Sequence, residues 1–195
     1  MRAGPTIYFI RHGETDWNAQ SRYQGQADIP MNETGRAQAR RNGEALRGLL
    51  PGIAQCRYVA SPLLRARETM EIVRGVMGLD PGAYSIDERL KELHYGHWQG
   101  IFAADLPDVD AAGIAARSQD TFRWRPTGGE SYEDLMARAV GWLADVADDT
   151  VVAGHGGISR VLRGHLYGVD PSAVPELEVP QDKVLILRRD GLEWL

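Results

Sequence analysis

The chain has 195 residues, 43% of them hydrophobic and 25% charged, and a formal net charge of −5. This length and composition predict one globular domain over residues 1–195, and the acidic balance argues against a general nucleic-acid binder, whose surface must be basic. Cys56 is the single cysteine, so no disulfide or cysteine metal cluster can form within the chain, and we expect a buried, inert thiol. No apolar stretch approaches transmembrane length and no signal-type segment precedes the first predicted strand, which predicts a soluble cytoplasmic protein that does not bind membranes.

Apolar, partly β-branched runs alternate with helical patterns along the chain. The runs predict strands at 6–10, 56–60, 84–86, 150–154 and 183–188. The helical patterns fall at 33–49, 62–77, 131–147 and 157–167. This alternation predicts an α/β fold in layers with a largely parallel sheet. Ser61 and Pro62 predict the start of one helix, Ser131 and Asp134 have the spacing of a capping box, and the weak pattern at 101–127 predicts an excursion that shapes a pocket.

Polar residues follow the first predicted strand directly. Arg11, His12 and Gly13 come after the apolar residues 6–10. Open α/β sheets bind their ligands at the carboxyl ends of such strands. Arginine offers donors for phosphate, histidine can attack phosphorus or shuttle protons, and glycine lets the backbone approach a ligand. Taken alone, this run is equally consistent with a strand edge that carries solvated charges.

A second histidine stands in the corresponding place downstream. His155 follows the predicted strand at 150–154 and precedes Gly156 and Gly157, where a helical pattern begins. The carboxyl ends of parallel strands lie at one edge of a sheet, so we expect His12 and His155 to converge. Free N–H groups in the first turn of the following helix also favour an anion.

Two further charged residues are expected at the same edge. Arg65 falls in the first turn of the helix that follows the strand at 56–60, and Glu92 comes after the short strand at 84–86. Each feature is a weak signal alone, but their repetition at the ends of four strands points to one site.

Six short motifs along the chain together carry a resemblance to a known family. In chain order they are Arg11-His12-Gly13-Glu14 with Asn18, Ser61-Pro62-Leu63 with Arg65, Ala66 and Thr69, Arg89-Leu90-Lys91-Glu92, Gly96-His97-Trp98-Gln99-Gly100, Gly129-Glu130-Ser131, and His155-Gly156-Gly157 with Arg160. In this order they resemble the histidine phosphatase superfamily, in the branch that contains cofactor-dependent phosphoglycerate mutases and related phosphatases. Gln99 departs from the pattern, since many phosphatases of this branch have glutamate there, and we expect an effect on local structure rather than on chemistry.

The resemblance implies a single histidine phosphatase domain over 1–195, with a three-layer αβα sandwich like that of phosphoglycerate mutases and a mostly parallel central sheet. It implies catalytic roles for His12, Glu92, His155, Arg11 and Arg65. It implies substrate binding by Arg11, Asn18, Arg65, His155 and Gly156. His12 would form a phosphohistidine that water then hydrolyses, and the arginines and second histidine would surround the phosphoryl group. Glu92 would protonate the leaving alkoxide and then activate water.

The resemblance thus predicts a phosphatase that hydrolyses a small phosphomonoester, with a phosphoglycerate mutase as the alternative. The run from Glu92 to Gly96 is mutase-like, whereas the short segment after Gly100 leaves little room for the insertions and basic residues of mutases. We expect no metal and no other cofactor, because arginines and histidine supply the positive charge. No H-E-x-x-H spacing supports a metal-dependent hydrolase, and a catalytically silent binding module is disfavoured because every expected catalytic position is filled. The oligomeric state stays open, a homodimer included.

The remaining polar residues of these segments have expected structural roles. We predict structural or surface positions for His94 and His97 and a helix-face position for His165. Glu130 is expected to support the helix start or the pocket wall, and Arg160 either contacts the ligand or pairs structurally. We predict solvated surface charges at Arg123, Arg125, Asp105, Asp108 and Asp110.

Overall fold

The structure, a computed structural model, describes residues 4–49 and 51–195. Its strands are β1 (Ile7–Arg11), β2 (Arg57–Ala60), β3 (Ser85–Ile86), β4 (Thr150–Gly154), β5 (Val184–Arg188) and β6 (Gly191–Trp194). Its α-helices are α1 (Asp16–Ala19), α2 (Glu33–Arg47), α3 (Leu64–Val76), α4 (Leu106–Val109), α5 (Ala111–Gln119), α6 (Tyr132–Leu143) and α7 (Gly156–Tyr167). Short 3₁₀ helices lie at Gly52–Gln55, Glu88–Leu90, Gly96–Trp98 and Val174–Glu176.

One sheet holds the strands in the order β3-β2-β4-β1-β5-β6. The first four strands in this order are parallel, and β5 and β6 are antiparallel additions at one edge. The predicted mostly parallel sheet is therefore confirmed. Arg11 of β1 pairs with Gly154 of β4, so the residues that follow them, His12 and His155, leave the same edge side by side.

Helices cover both faces of this sheet. α6 and α7 pack on the face that carries Phe9 and Val152, and α2 and α3 pack on the face that carries Ile10 and Val151. Neighbouring residues of a strand belong to different faces because side chains alternate along it. Burial of both faces explains why these strands are continuous apolar runs in the sequence. The predicted three-layer αβα sandwich is confirmed.

The helix predicted at 62–77 begins later than expected. Its first residue is Leu64, whose N–H donates to Asp28 Oδ1 at 2.7 Å, so a carboxylate from a distant loop satisfies the helix terminus. The prediction that Ser61 is the N-cap was wrong, because Leu63 occupies the cap position. The Ser61 hydroxyl accepts instead from Leu63 N at 3.4 Å, ahead of the helix, and is hydrogen-bonded to His155 Nε2 at 2.7 Å. By contrast, the capping box of Ser131 and Asp134 is present at the start of α6.

The excursion at 101–127 contains α4 and α5 and is fastened to the 3₁₀ helix Gly96–Trp98. Asp110 accepts hydrogen bonds from Trp98 Nε1 at 2.8 Å and from Gly113 N at 2.8 Å, and it contacts His97 Nε2 at 2.9 Å. The prediction that Asp110 is a solvated surface charge was therefore wrong. Its carboxylate caps α5 and holds the excursion against the aromatic side chain of Trp98.

The structure bears on three expectations drawn from composition, which concern membrane-spanning helices, metal sites and the thiol of Cys56. In the described ranges, no helix is long and apolar enough to cross a bilayer. The same ranges contain no group of three or more His, Cys, Asp or Glu side chains arranged to hold a metal ion. The thiol of Cys56 is partly exposed rather than buried, because Cys56 precedes the buried part of β2.

Candidate active site

His12 is held in one tautomer at the end of β1. Its Nδ1 lies 2.7 Å from the carbonyl oxygen of Gly13, and because a carbonyl accepts, Nδ1 carries the hydrogen. Its Nε2 therefore carries the lone pair of the ring, which accepts from Arg65 Nε at 3.2 Å. The side chain is 3% exposed, and burial, followed by the nearby Arg65 and Arg11, holds the pKa of His12 well below its usual 6.5. The ring is thus a neutral imidazole with an available nitrogen.

The loop that carries His12 lies directly against the first turn of α2. A Cβ on Gly13 would stand 2.2 Å from the carbonyl oxygen of Gly35, and a Cβ on Gly35 would stand 2.2 Å from that of Glu14. Both positions therefore need glycine for this close approach of two backbones.

His155 lies beside His12, with 5.1 Å between the ring centroids. It is fully buried, and its Nε2 is 2.7 Å from Ser61 Oγ. Its Nδ1 is buried without a hydrogen-bond partner in the part of the chain that the structure describes. Burial, followed by the charge of Arg65, lowers the pKa of His155 well below 6.5. An unsatisfied buried nitrogen at this position is a group that a bound ligand can satisfy.

Two arginines flank the histidine pair. The Arg65 side chain is 1% exposed, and its two terminal nitrogens donate to the carbonyls of Ala27 at 2.8 Å and Gly25 at 2.6 Å. Burial lowers the pKa of Arg65 to about 10, so it is charged at neutral pH. Arg11 donates from Nη1 to the Val179 carbonyl at 2.6 Å, while its buried Nε is unpartnered within the described residues. Both guanidinium groups are thus fixed in orientation before any ligand arrives.

The carboxylate of Glu92 sits at the first turn of α7. Its Oε1 accepts from Leu93 N at 2.8 Å, and the N–H of Gly157 lies 3.1 and 3.2 Å from its two oxygens. The N-terminus of a helix stabilises a negative charge, so α7 orients this carboxylate. It lines the same cavity as His12, where it can exchange a proton with a bound group.

These groups surround one cavity of about 260 Å³. The residues that line it are Arg11, His12, Asn18, Ser21, Arg22, Tyr23, Gln24, Gly25, Arg65, Glu92, Tyr95, Ala103, Gly156 and Arg160. Six of the predicted site residues are among them, and His155 lies behind the wall next to His12. Ala103 comes from the excursion, which therefore helps to shape the pocket as predicted. With several arginines against one carboxylate, the cavity is suited to a small anion.

The family profile of the histidine phosphatase superfamily (branch 1) matches residues 7–195. The chain belongs to the histidine phosphatase superfamily. A glucosyl-3-phosphoglycerate phosphatase of Mycobacterium tuberculosis is 34% identical to this histidine phosphatase over 190 residues, which cover 91% of this chain and 81% of the relative. A 2,3-bisphosphoglycerate-dependent phosphoglycerate mutase of Gloeobacter violaceus is 27% identical over 180 residues, with 89% and 80% covered.

Solved structures show the same relationship. A mycobacterial glucosyl-3-phosphoglycerate phosphatase in complex with VO3 superposes on this chain with a TM-score of 0.78 at 30% identity, covering 100% of this chain and 96% of that one. The α-ribazole phosphatase of Shigella flexneri superposes with a TM-score of 0.80 at 26% identity, covering 93% and 89%. With the family match, these relatives support the predicted activity: the chain is a phosphoric monoester hydrolase.

Arg138 is a site residue of this histidine phosphatase that the sequence analysis missed. It donates to the carbonyl of Glu92 at 2.9 Å and pairs with Glu130 at 3.0 Å. It also donates to the carbonyls of Arg89 and Lys91, so it holds the whole segment that leads to Glu92. The one available signal is its position three residues after the buried Leu135 of α6, where a charged side chain must find a partner.

Several predicted supporting roles have clear outcomes. Glu130 accepts from His94 N at 2.9 Å, which confirms its supporting role. Gln99 Oε1 accepts from Gln26 N at 2.7 Å, and Gln26 Nε2 donates to the Glu92 carbonyl at 2.9 Å. Gln99 thus has a local structural contact, and the expectation that it leaves the chemistry unaffected stays a prediction. Arg160 shows structural pairing, because it donates to the Leu177 carbonyl at 2.7 Å while it lines the cavity.

The other charged and imidazole residues lie where they were expected. His165 is exposed on α7, and His94 and His97 make local contacts with Gly96 and Asp110. The exposed Arg123 and Arg125 pair with Glu133 and Asp134, and Asp105 and Asp108 are exposed.

Replacing Gly157 with alanine is expected to impair catalysis. A Cβ there would stand 2.3 Å from Glu92 Oε1 and 2.8 Å from Leu135 Cδ2, so the carboxylate must move away from the helix terminus. Displacement of the Glu92 carboxylate is expected to lower kcat by roughly 10²-fold. The overpacking is expected to lower the free energy of unfolding by about 1–3 kcal/mol. The control is Gly141→Ala on α6, where a Cβ would meet nothing within 4 Å. A parent-like kcat in Gly157→Ala would contradict the role of this close contact.

The free energy of unfolding is expected to fall as the pH drops below about 6.5. Burial lowers the pKa of His12 and His155 in the folded protein, so below this pH the unfolded chain binds protons that the folded protein does not. Two such groups together lower the free energy of unfolding by up to about 2.7 kcal/mol for each pH unit below this value. Urea unfolding across this range should show a slope roughly halved in His12→Asn and unchanged in His165→Asn. Equal slopes in the parent and His12→Asn would contradict the expectation.

Proposed function

We propose that this phosphatase hydrolyses a small phosphomonoester through a phosphohistidine on His12. The observation that carries the proposal is the state of the His12 ring: Nδ1 donates to the Gly13 carbonyl, and the unprotonated Nε2 accepts from Arg65. Only a neutral imidazole with a free nitrogen can attack phosphorus. Family membership supports the same chemistry.

In the first step, His12 Nε2 attacks phosphorus in line with the ester bond. The N–P bond forms, the P–O bond breaks, and the electron pair goes to the leaving alkoxide. The alkoxide takes a proton from Glu92, which enters this step as the carboxylic acid. Arg11 and Arg65 neutralise the charge of the phosphoryl oxygens. His155 lies behind them, and in the tautomer in which Nδ1 carries the hydrogen it donates a hydrogen bond to one of these oxygens. This preorganised charge is the main contribution that a protein makes to phosphoryl transfer.

In the second step, water attacks the phosphohistidine. Glu92, now ionised, takes a proton from the water, the N–P bond breaks, and inorganic phosphate leaves with His12 neutral again. The Asn18 side chain and the N–H of Gly156, which line the cavity, are proposed to donate to the phosphate. All protons and bonds balance without a further reactant.

We further propose that the reaction needs no metal ion or other cofactor, because the two fixed guanidinium groups supply the charge. Activity should therefore persist after exhaustive chelation. Residues 1–195 are proposed to act as one domain, in the cytoplasm, on small molecules and not on nucleic acids. The size of the cavity supports a small substrate.

The substrate itself can be sought among phosphomonoesters. The relatives' names suggest a panel of glucosyl-3-phosphoglycerate, phosphoglycerates and α-ribazole phosphate, to which we add sugar phosphates and a phosphopeptide. Comparison of kcat/KM across this panel identifies the preferred class. Uniformly low values for the small molecules together with a high value for the phosphopeptide would contradict the proposed substrate class.

The central experiment is to trap the intermediate. Radiolabelled substrate, quenched during turnover, should leave a label on the protein that is lost in acid and kept in base. Release of free phosphate without bisphosphoglycerate is expected for the phosphatase. The similarity to the Gloeobacter mutase supports the mutase alternative. A mutase would depend strictly on bisphosphoglycerate, and such dependence would overturn the proposal.

A further inference from the structure

The segment between the 3₁₀ helix Val174–Glu176 and β5 runs beside the active site and is fastened by arginines. Three successive carbonyls each accept from one guanidinium: Leu177 from Arg160 at 2.7 Å, Glu178 from Arg163 at 2.8 Å, and Val179 from Arg11 at 2.6 Å. Two of these arginines come from α7 and the third from the end of β1. The segment is therefore fixed relative to both histidines.

Gln181 lies at the end of this fastened segment. Its carbonyl accepts from Asn42 Nδ2 at 3.0 Å, and Asn42 is a 2% exposed residue of α2. Its side chain reaches back, with Nε2 donating to the His12 carbonyl at 3.1 Å and to Asn18 Oδ1 at 3.3 Å. The His12 carbonyl can only accept, so the orientation of the Gln181 amide is unambiguous.

The Gln181 amide in turn determines the orientation of Asn18. Asn18 Oδ1 also accepts from the N–H of Thr15 at 3.2 Å. The oxygen of an amide has two lone pairs, and here both meet a donor. The Asn18 Nδ2 group is therefore directed away from these partners, and Asn18 lines the cavity next to His12. An oriented N–H donor at this position suits an anionic oxygen.

We propose that Gln181 is a positioning residue for phosphate binding. It holds Asn18 with its oxygen inward and its N–H₂ toward the bound phosphoryl group, and it ties this orientation to the backbone of the nucleophile. The inference rests on the proposed function, specifically on the substrate-binding role of Asn18. Gln181 itself does not line the cavity.

The test compares Gln181→Glu with Gln181→Met. The carboxylate presents an acceptor to Asn18 Oδ1, so Asn18 is expected to flip and turn its oxygen toward the phosphate. The methionine has no donor for Asn18 Oδ1, which then accepts from the Thr15 N–H alone. We expect KM and the inhibition constant of inorganic phosphate to rise together, roughly ten- to hundredfold in Gln181→Glu and less in Gln181→Met. The control is Gln20→Glu, an exposed position near Asn18 in which the same charge is introduced.

A double-mutant cycle with Asn18→Ala separates positioning from general damage. If Gln181 acts through Asn18, Gln181→Glu should have little further effect on the phosphate inhibition constant in the Asn18→Ala background. Additive losses, or a parent-like constant in both Gln181 variants, would overturn the inference and leave the proposed function standing. A parent-like constant in Asn18→Ala would overturn it together with the Asn18 assignment. Failure of the phosphohistidine proposal itself would appear separately, as absence of the acid-labile label in the parent protein.

Discussion

Replacing His12 with alanine is expected to abolish turnover and to remove the acid-labile phosphate label. The substitution deletes the nitrogen whose lone pair accepts from Arg65, and His155 cannot replace it because its Nε2 is hydrogen-bonded to Ser61 and, unlike His12, it does not line the cavity. Loss of an enzyme nucleophile lowers kcat by roughly 10⁴- to 10⁶-fold. Steady-state phosphate release and labelling with radioactive substrate measure the two effects independently.

The matched control is His165→Ala, an exposed histidine on α7 that should leave the rate unchanged. Thermal unfolding of both variants shows whether His12→Ala remains folded. If a folded His12→Ala variant hydrolyses substrate near the parent rate, or carries the same label on another residue, the assignment of the nucleophile is wrong.

Replacing Glu92 with glutamine is expected to slow the attack of water on the phosphohistidine for every substrate, and to slow phosphohistidine formation only for substrates with a poor leaving group. The amide can still accept from the Leu93 N–H, so its position at the start of α7 is kept, but it cannot donate a proton to an alkoxide or accept one from water. For an alkyl phosphate, whose leaving group needs that proton, we expect kcat/KM to fall by roughly 10²- to 10⁴-fold. For an aryl phosphate with a good leaving group, formation of the phosphohistidine should remain fast.

The aryl substrate then gives a diagnostic result. Because water attack still lacks its base, the phosphoenzyme should accumulate, and rapid mixing should show a burst of phenol equal to the enzyme concentration. The burst should be missing with the alkyl phosphate. Equal losses for both substrates without any burst would contradict the double role of Glu92. Glu130→Gln is a useful comparison, since that carboxylate pairs with Arg138 outside the reacting groups.

Much of the architecture follows from local patterns. The apolar runs at β1 and β4 are continuous because both faces of the sheet are covered, and each run ends in a histidine followed by glycine. A parallel register then brings His12 and His155 together without further information. The arginine in the first turn of α3 and the carboxylate after β3 could be placed at the same edge by the same reasoning.

Other features could not be predicted from local sequence patterns. Ser61 has the residue type of a helix cap, yet its hydroxyl is taken by His155, which is 94 positions away in the chain. Asp110 resembles any exposed aspartate until Trp98 is seen to donate to it. The carbonyl partners of Arg138 are 46 to 49 positions away, and its position on α6 does not indicate which carbonyls they are.

The groups that we propose to react could thus be named from residue types at the ends of strands, because backbone periodicity and the parallel sheet leave few alternatives for where those ends meet. The state and orientation of those groups were not. The tautomer of His12, the placement of the Glu92 carboxylate and the direction of the Asn18 amide each depend on hydrogen bonds to residues such as Gly157 and Gln181. Such bonds join segments distant in the chain, and only the packed fold selects among the donors and acceptors available to each of them.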